Sequence, residues 1–314
     1  MQLPKPRVLL TLPLLLAFGF PQEQETPNPG VLAEVTVSTL VAELPGGTGG
    51  LEVDAEGFVY SADFGSKLGA GSEGGNLIFK IDPKSGEHVI FNDSLRGASG
   101  NAIGPDGNFY QSNVGAGSVT RITPKGKASI FCSKLLKSPV GIAIDAEGTL
   151  FVANCNSGSI TEISSLGEAS SFATSPLFSC PNGIALDEEH NLYVANFSNG
   201  DVLKVDWNGE VSTLATLPGN NNGHVVYREG FLYVVARSAH QIYRVSLAGE
   251  VSLLAGSGER GHRDGPALEA SFSYPNDLAF SPDGKTLYVN ENARIEGPGT
   301  DLAPMTVRSL RLKP

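Results

Sequence analysis

The stretch SYPNDLAFSPDGKTLYVNE, Ser273 to Glu291, has an earlier counterpart in SCPNGIALDEEHNLYVANF, Ser179 to Phe197. Each writes Pro-Asn, a short apolar run, an acidic turn and then Leu-Tyr-Val. Working outward, related segments begin at Gly50, Gly100, Gly141, Gly183, Gly223 and Asp277. Most starts lie about forty residues apart, the length of a four-stranded repeat unit. The copy at Gly183 continues as NLYVAN, the turn SNG, DVLKVDW, the turn NG and EVSTLATL. Four apolar β-segments parted by Gly, Asn and Asp turns form one antiparallel propeller blade. Six starts predict an all-β, six-bladed β-propeller with four antiparallel strands per blade. The last copy ends at MTVRSLRLKP, which matches only a third strand. EVTVSTLVAEL, from Glu34, resembles the fourth strand of another copy. The N-terminal strand is therefore expected to close the last blade, which removes an exposed sheet edge.

Composition agrees with many short strands. The 314 residues include 38 Gly and 20 Pro, and 18% are charged. The formal net charge is -11, with no basic run, so nucleic acid has no electrostatic footprint to bind. MQLPKPR followed by VLLTLPLLLAFGF reads as an export signal over residues 1–19, with Ala17 and Gly19 as the small residues before cleavage. Residues 20–30 form a polar, Pro-rich spacer, and residues 31–314 a single propeller domain. No later segment approaches the length of a membrane span. The expectation is a secreted or periplasmic monomer without a membrane span.

Strand one of a blade lines the central channel. The connections into strand one and from strand two to strand three share one face. The long segments 63–76, 256–277 and 290–304 all fall there, in blades five, six and one, and make that face loop-rich. Long loops are where binding usually resides. The residues before the repeated Gly form a ring of Gly49, Ser99, Val140, Asn182, Asn222 and Asn276. A second ring, after strand two, holds Asp63, Asn113, Asn154, Asn196, Ala236 and Glu291. Hard cations take six to eight oxygens. Asn182, Asn222, Asn276 and Glu291 are the candidate metal ligands, with Ca²⁺ the expected ion. His224 and Asp277, at the start of strand one, are candidates for acid–base or nucleophile-activating chemistry. His262, Arg263, Asn154 and Asn196 are candidates for substrate contact. The same Asn residues equally serve as turn caps. Cys155 and Cys180 fall on one face of adjacent blades and are expected to form a disulfide, leaving Cys132 free.

AGSGERGHRDGPALEASFSYPNDLAFSPDGKTLYVNE resembles an NHL repeat. CPNGIALDEEHNLYVAN is similar to the matching stretch of the regucalcin–gluconolactonase family. The resemblance covers roughly residues 31–314. It implies a metal-dependent hydrolase of lactones or related esters, with one divalent cation at the channel mouth acting as Lewis acid. The family's ligands are a Glu leading into blade one, an Asn in Pro-Asn-Gly and an Asp leading into the following blade. Asn182 matches the Asn. Gly49 and Asn222 stand at the Glu and Asp positions, so charge would have to come from Asp277, Glu291 or Asp63. The alternative is a non-enzymatic NHL-type propeller that binds a protein, glycan or small ligand on its loop-rich face.

Overall fold

The computed structural model describes residues 35–68 and 75–312. The expected signal and spacer lie outside them. Six antiparallel sheets are arranged as the repeat predicts. Their first strands are Thr48–Val53, Ala98–Ile103, Pro139–Ile144, Pro181–Leu186, Asn222–Arg228 and Asp277–Phe280. The ring closes between its two ends. Val35–Leu44 pairs antiparallel with Met305–Leu312, with Val37 opposite Leu310. The other edge of this closing strand meets the two-residue strand Gly265–Pro266, donated by the long loop before blade six.

Apolar alternation places the core between blades. Tyr193 and Val202 of blade four pack with Val225, Leu232 and Val234 of blade five. Leu44, Tyr288 and Val307 of blade six pack with Leu51, Val59 and Phe79 of blade one. Each fully buried side chain of this size contributes about 1.5–3 kcal/mol, so the seam to the closing strand is as well packed as any other. The outermost strands face water on one side. Val89 and Ile130 lie exposed there.

The repeated Gly has a steric cause. The six first strands converge on the axis so closely that a Cβ at Gly50, Gly141 or Gly223 would overlap Ser99 O, Asn182 O or Asn276 O of the next blade. Only Gly permits this approach of two backbones. The residue three before Gly141, Gly183, Gly223 and Asp277 is just as constrained. Ser138, Cys180, Asn220 and Tyr274 all adopt φ between 48 and 59°. Non-Gly residues rarely hold this left-handed conformation. It turns each chain sharply from the preceding loop into strand one.

Backbone bonds join the two connections of the loop-rich face. Cys155 N donates to Ser138 O, Phe197 N to Cys180 O and Asn292 N to Ser273 O. A disulfide from Cys155 to Cys180 links the first two of these junctions, in blades three and four, while Cys132 is a buried free thiol.

Candidate functional site

The Gly ring divides the channel. Just beyond it, His224 reaches from blade five toward blade two, on the opposite side of the axis. A Cβ at Gly100 would lie 3.0 Å from His224 Cε1. The His224 backbone N–H donates to Asn276 O at 2.8 Å, tying blade five to blade six. Imidazole and glycines together form a septum. Beyond it a cavity of about 330 Å³ is lined by the later halves of the first strands. It therefore lies toward the face of the strand-one-to-two hairpins, opposite the loop-rich face.

Four polar groups gather at the inner end of this cavity: Glu52, Asn101, His224 and Asp277. Asp277 is buried. Its Oδ2 accepts Leu51 N–H at 2.8 Å and its Oδ1 accepts Leu278 N–H at 2.7 Å. His224 Nδ1 stands 3.5 Å from Asp277 Oδ2. Loss of solvent dominates here, because two backbone donors do not replace a hydration shell. Burial raises the Asp277 carboxyl well above its ordinary value, and the neighbouring Glu52 charge raises it further. Burial alone pushes the His224 imidazole down to about 4, so the ring is neutral at physiological pH.

Glu52 keeps some surface toward the cavity but sits deep between strands. Desolvation pushes its carboxyl up to about 7, against backbone N–H groups of Val53 and Ile103 that lower it. Asn101 donates from Nδ2 to Gln111 Oε1 at 3.3 Å, while its buried Oδ1 has no partner among the described residues. A buried, unpaired acceptor in a cavity is a place for a ligand donor.

The amide nitrogens of three candidate metal ligands are tied to neighbouring blades: Asn182 Nδ2 donates to Asn222 O, Asn276 Nδ2 to Gly49 O and Asn222 Nδ2 to Asp201 O. These bonds leave the amide oxygens as possible neutral donors, and the buried Asn222 Oδ1 has no partner among the described residues. Glu291 is fully buried. Its Oε1 accepts Arg308 Nη1 at 2.6 Å and faces His262 Nδ1 at 3.0 Å, while its Oε2 accepts Ser273 N–H at 2.5 Å. A carboxylate with both oxygens committed, one of them to an equally buried arginine, is not free for a cation. The remaining donors are neutral amides, which hold Ca²⁺ weakly. The set does not fit a cation held by these four residues. Among the described residues, no three His, Cys, Asp or Glu side chains are arranged to hold a metal ion.

The candidate substrate contacts scatter. Asn154 and Asn196 have no exposed surface. Each carbonyl oxygen accepts a backbone N–H from the preceding loop, Lys137 at 2.9 Å and Ser179 at 3.1 Å. His262 braces Glu291 and the carbonyl of Ala293, and Arg263 pairs with Glu259 at the surface. The loop-rich face is held by guanidinium groups bonded to main-chain carbonyls. Arg237 donates to Tyr274 O and Gly299 O, and Arg260 to the carbonyls of Arg294, Glu296 and Gly297. Long loops fixed in this way form a platform.

Glu52 and Asn101 escaped the sequence reading, although a signal was present. Glu52 occupies the position where blades two to four carry Ala102, Ala143 and Ala185. Asn101 and His224 replace the Ile that follows Gly141 and Gly183. Polar exceptions within an apolar first strand mark the cavity better than the Asn-rich ring does.

Six four-stranded antiparallel blades around a channel make the fold a six-bladed β-propeller. No protein-family profile matches the sequence, and no curated protein matches it. Solved structures do. A gluconolactonase from Xanthomonas campestris superposes with TM-score 0.67 at 14% identity, over 90% of this chain and 91% of that one. Virginiamycin B lyase from Staphylococcus aureus gives 0.61 at 17%, over 89% and 99%. An auxiliary nutrient binding protein from Bacteroides thetaiotaomicron gives 0.67 at 13%, over 88% and 76%. At these identities the likeness is one of fold. No helix among the described residues is long and apolar enough to cross a membrane.

Proposed function

We propose that the protein is a hydrolase of lactones or related small esters, working from the hairpin-face cavity. One observation carries this reading. Glu52, with its carboxyl near 7, shares the inner end of the cavity with Asp277, whose carboxyl burial raises well above its ordinary value. Two acids whose surroundings suit one for accepting and the other for donating a proton make an acid–base pair. Ionised Glu52 takes a proton from water as its oxygen adds to the ester carbonyl carbon. The carbon–oxygen ester bond then breaks, and the departing alkoxide takes the Asp277 proton. Transfer from Glu52 to Asp277 resets the pair, with a hydroxy acid as product. Neutral His224 seals the inner end and keeps the reaction from the opposite face. In the related lactonases a divalent cation supplies Lewis-acid chemistry; no step here is routed through one, since the donor set on the loop-rich side does not fit it.

The test is hydrolysis of a panel of lactones and esters, neutral and carboxylate-bearing, by the mature protein and by Glu52→Gln. Turnover that Glu52→Gln leaves intact would overturn the reading. A second reading, a non-enzymatic propeller that binds a ligand on its loop-rich face, is favoured by the arginine-fixed loops and by the septum that parts them from the cavity. Turnover of no lactone, together with ligand capture that a Tyr274→Ala change abolishes, would select it. Export of the protein is part of this proposal and rests on the sequence of residues 1–19.

A further inference from the structure

We infer that the hairpin-face cavity selects a compact carboxylate ligand, with Arg228 holding the carboxylate at the rim. This rests on the reading that the cavity is the working site, and it names the ligand class that site takes. Arg228 is the one cation among the lining residues. Its guanidinium lies over the Phe280 ring at 5.3 Å, which fixes its place without using its donors. Its ion-pair partner is Glu229 at 3.0 Å, and that side chain is 78% exposed. An ion pair this exposed contributes little, so a ligand carboxylate can replace it at small cost. A bidentate carboxylate–guanidinium contact has the geometry Arg is suited to.

Between rim and inner end, Ile103, Ile142, Ile144, Ile184, Leu186 and Val226 stand among polar surface, so the wall admits a short chain without being apolar throughout. The volume of about 330 Å³ stands at the small end of ligand cavities, which restricts the body to a short chain or a single ring. The inner end offers the unpartnered Asn101 Oδ1, an acceptor that a ligand hydroxyl satisfies. The ionisable inner acids and the rim cation lie at opposite ends of the strand-one halves, Glu52 and Asp277 toward the septum and Arg228 near the hairpin turn. A carboxylate is thus received at the rim and disfavoured at the septum, and the ligand has one orientation.

The experiment is calorimetric titration of the full mature protein with hexanoate, hexanamide and 6-hydroxyhexanoate. Hexanoate should bind about tenfold more tightly than hexanamide, the scale of one charge-assisted contact. 6-Hydroxyhexanoate should bind more tightly still. Arg228→Gln should remove the preference for hexanoate while hexanamide binds as before, which also shows that the variant is folded. Asn101→Leu should remove only the gain from the hydroxyl. Equal affinity for hexanoate and hexanamide, or no binding of any of the three, overturns the proposal. Lactone turnover with no carboxylate preference would sink this inference and leave the hydrolase standing. Carboxylate-selective binding with no turnover of any lactone would do the reverse.

Discussion

Asp277 Oδ2 and His224 Nδ1 stand 3.5 Å apart across the boundary of blades five and six, and both side chains are buried. Their burial drives the two groups toward neutrality from opposite directions, the acid upward and the base downward. With the imidazole neutral, the pair is not a salt bridge. Its donors and acceptors are set by the backbone amides of Leu51 and Leu278.

That arrangement makes Asp277→Asn informative. An amide presents one acceptor where the carboxyl presents two, so one of the two backbone N–H groups loses its partner. A buried donor left unpaired costs about 1–3 kcal/mol. Thermal denaturation should show that loss, and turnover should fall as well. An Asn variant as stable as wild type would show that the two N–H bonds are not both made.

Glu52→Gln should lower turnover by about 10² to 10⁴-fold, the usual contribution of a general base. In wild type the rate should rise with pH through a limb near 7, where Glu52 ionises. Stability should run the other way. Between 4.5 and about 7 the unfolded chain releases the Glu52 proton while the folded one keeps it. The folded state then binds more protons, so this contribution to stability falls as pH rises through that window. Depressed His224 works oppositely, adding stability as pH rises from about 4 to 6.5. The difference between wild type and Glu52→Gln isolates the Glu52 part, and the variant should gain relative stability toward pH 8.

Gly223→Ala should destabilise by about 1–3 kcal/mol, as overpacking does, because the new methyl would meet the Asn276 carbonyl of blade six. The sheet itself does not need Gly there. A denaturant midpoint equal to wild type would mean that the blades can spread without cost.

Deleting residues 31–44 should abolish cooperative unfolding, because Met305–Leu312 would lose its partner along the strand that closes the ring. A milder probe is Val37→Asp. Val37 is fully buried at this seam, and an uncompensated buried charge is far costlier than a lost methyl. Circular dichroism melting distinguishes ring closure from a dispensable tail: an unchanged midpoint in either variant rules closure out as a source of stability.

Exhaustive dialysis against a chelator should leave the melting midpoint unchanged, since Glu291 is committed to Arg308 and the Asn182, Asn222 and Asn276 side chains offer only neutral amide oxygens, which hold a divalent ion weakly. Elemental analysis of the protein before dialysis completes the test. A stoichiometric divalent ion whose removal lowers the midpoint would show that these side chains rearrange to hold it.

The sequence by itself determined the ring. Strand alternation, turn residues and a period near forty are local properties, and six copies with a displaced fourth strand admit one closed arrangement. Cys155 and Cys180 could be paired on paper because each blade repeats the same connections. The working end of the channel was decided only by tertiary structure. Asn182, Asn222 and Asn276 look like a ligand ring when aligned, but what their amides bond to depends on backbone carbonyls brought up from other blades and strands. Glu291 looked available until Arg308, folded over from strand three, took one of its oxygens. Glu52 and Asp277 are ordinary acids in the chain. Burial at the axis, which no single blade can create, is what sets their protons. The Asn of each Pro-Asn stretch ties its blade to the next, Asn182 to Asn222 O and Asn276 to Gly49 O, and the proposed site lies further along strand one.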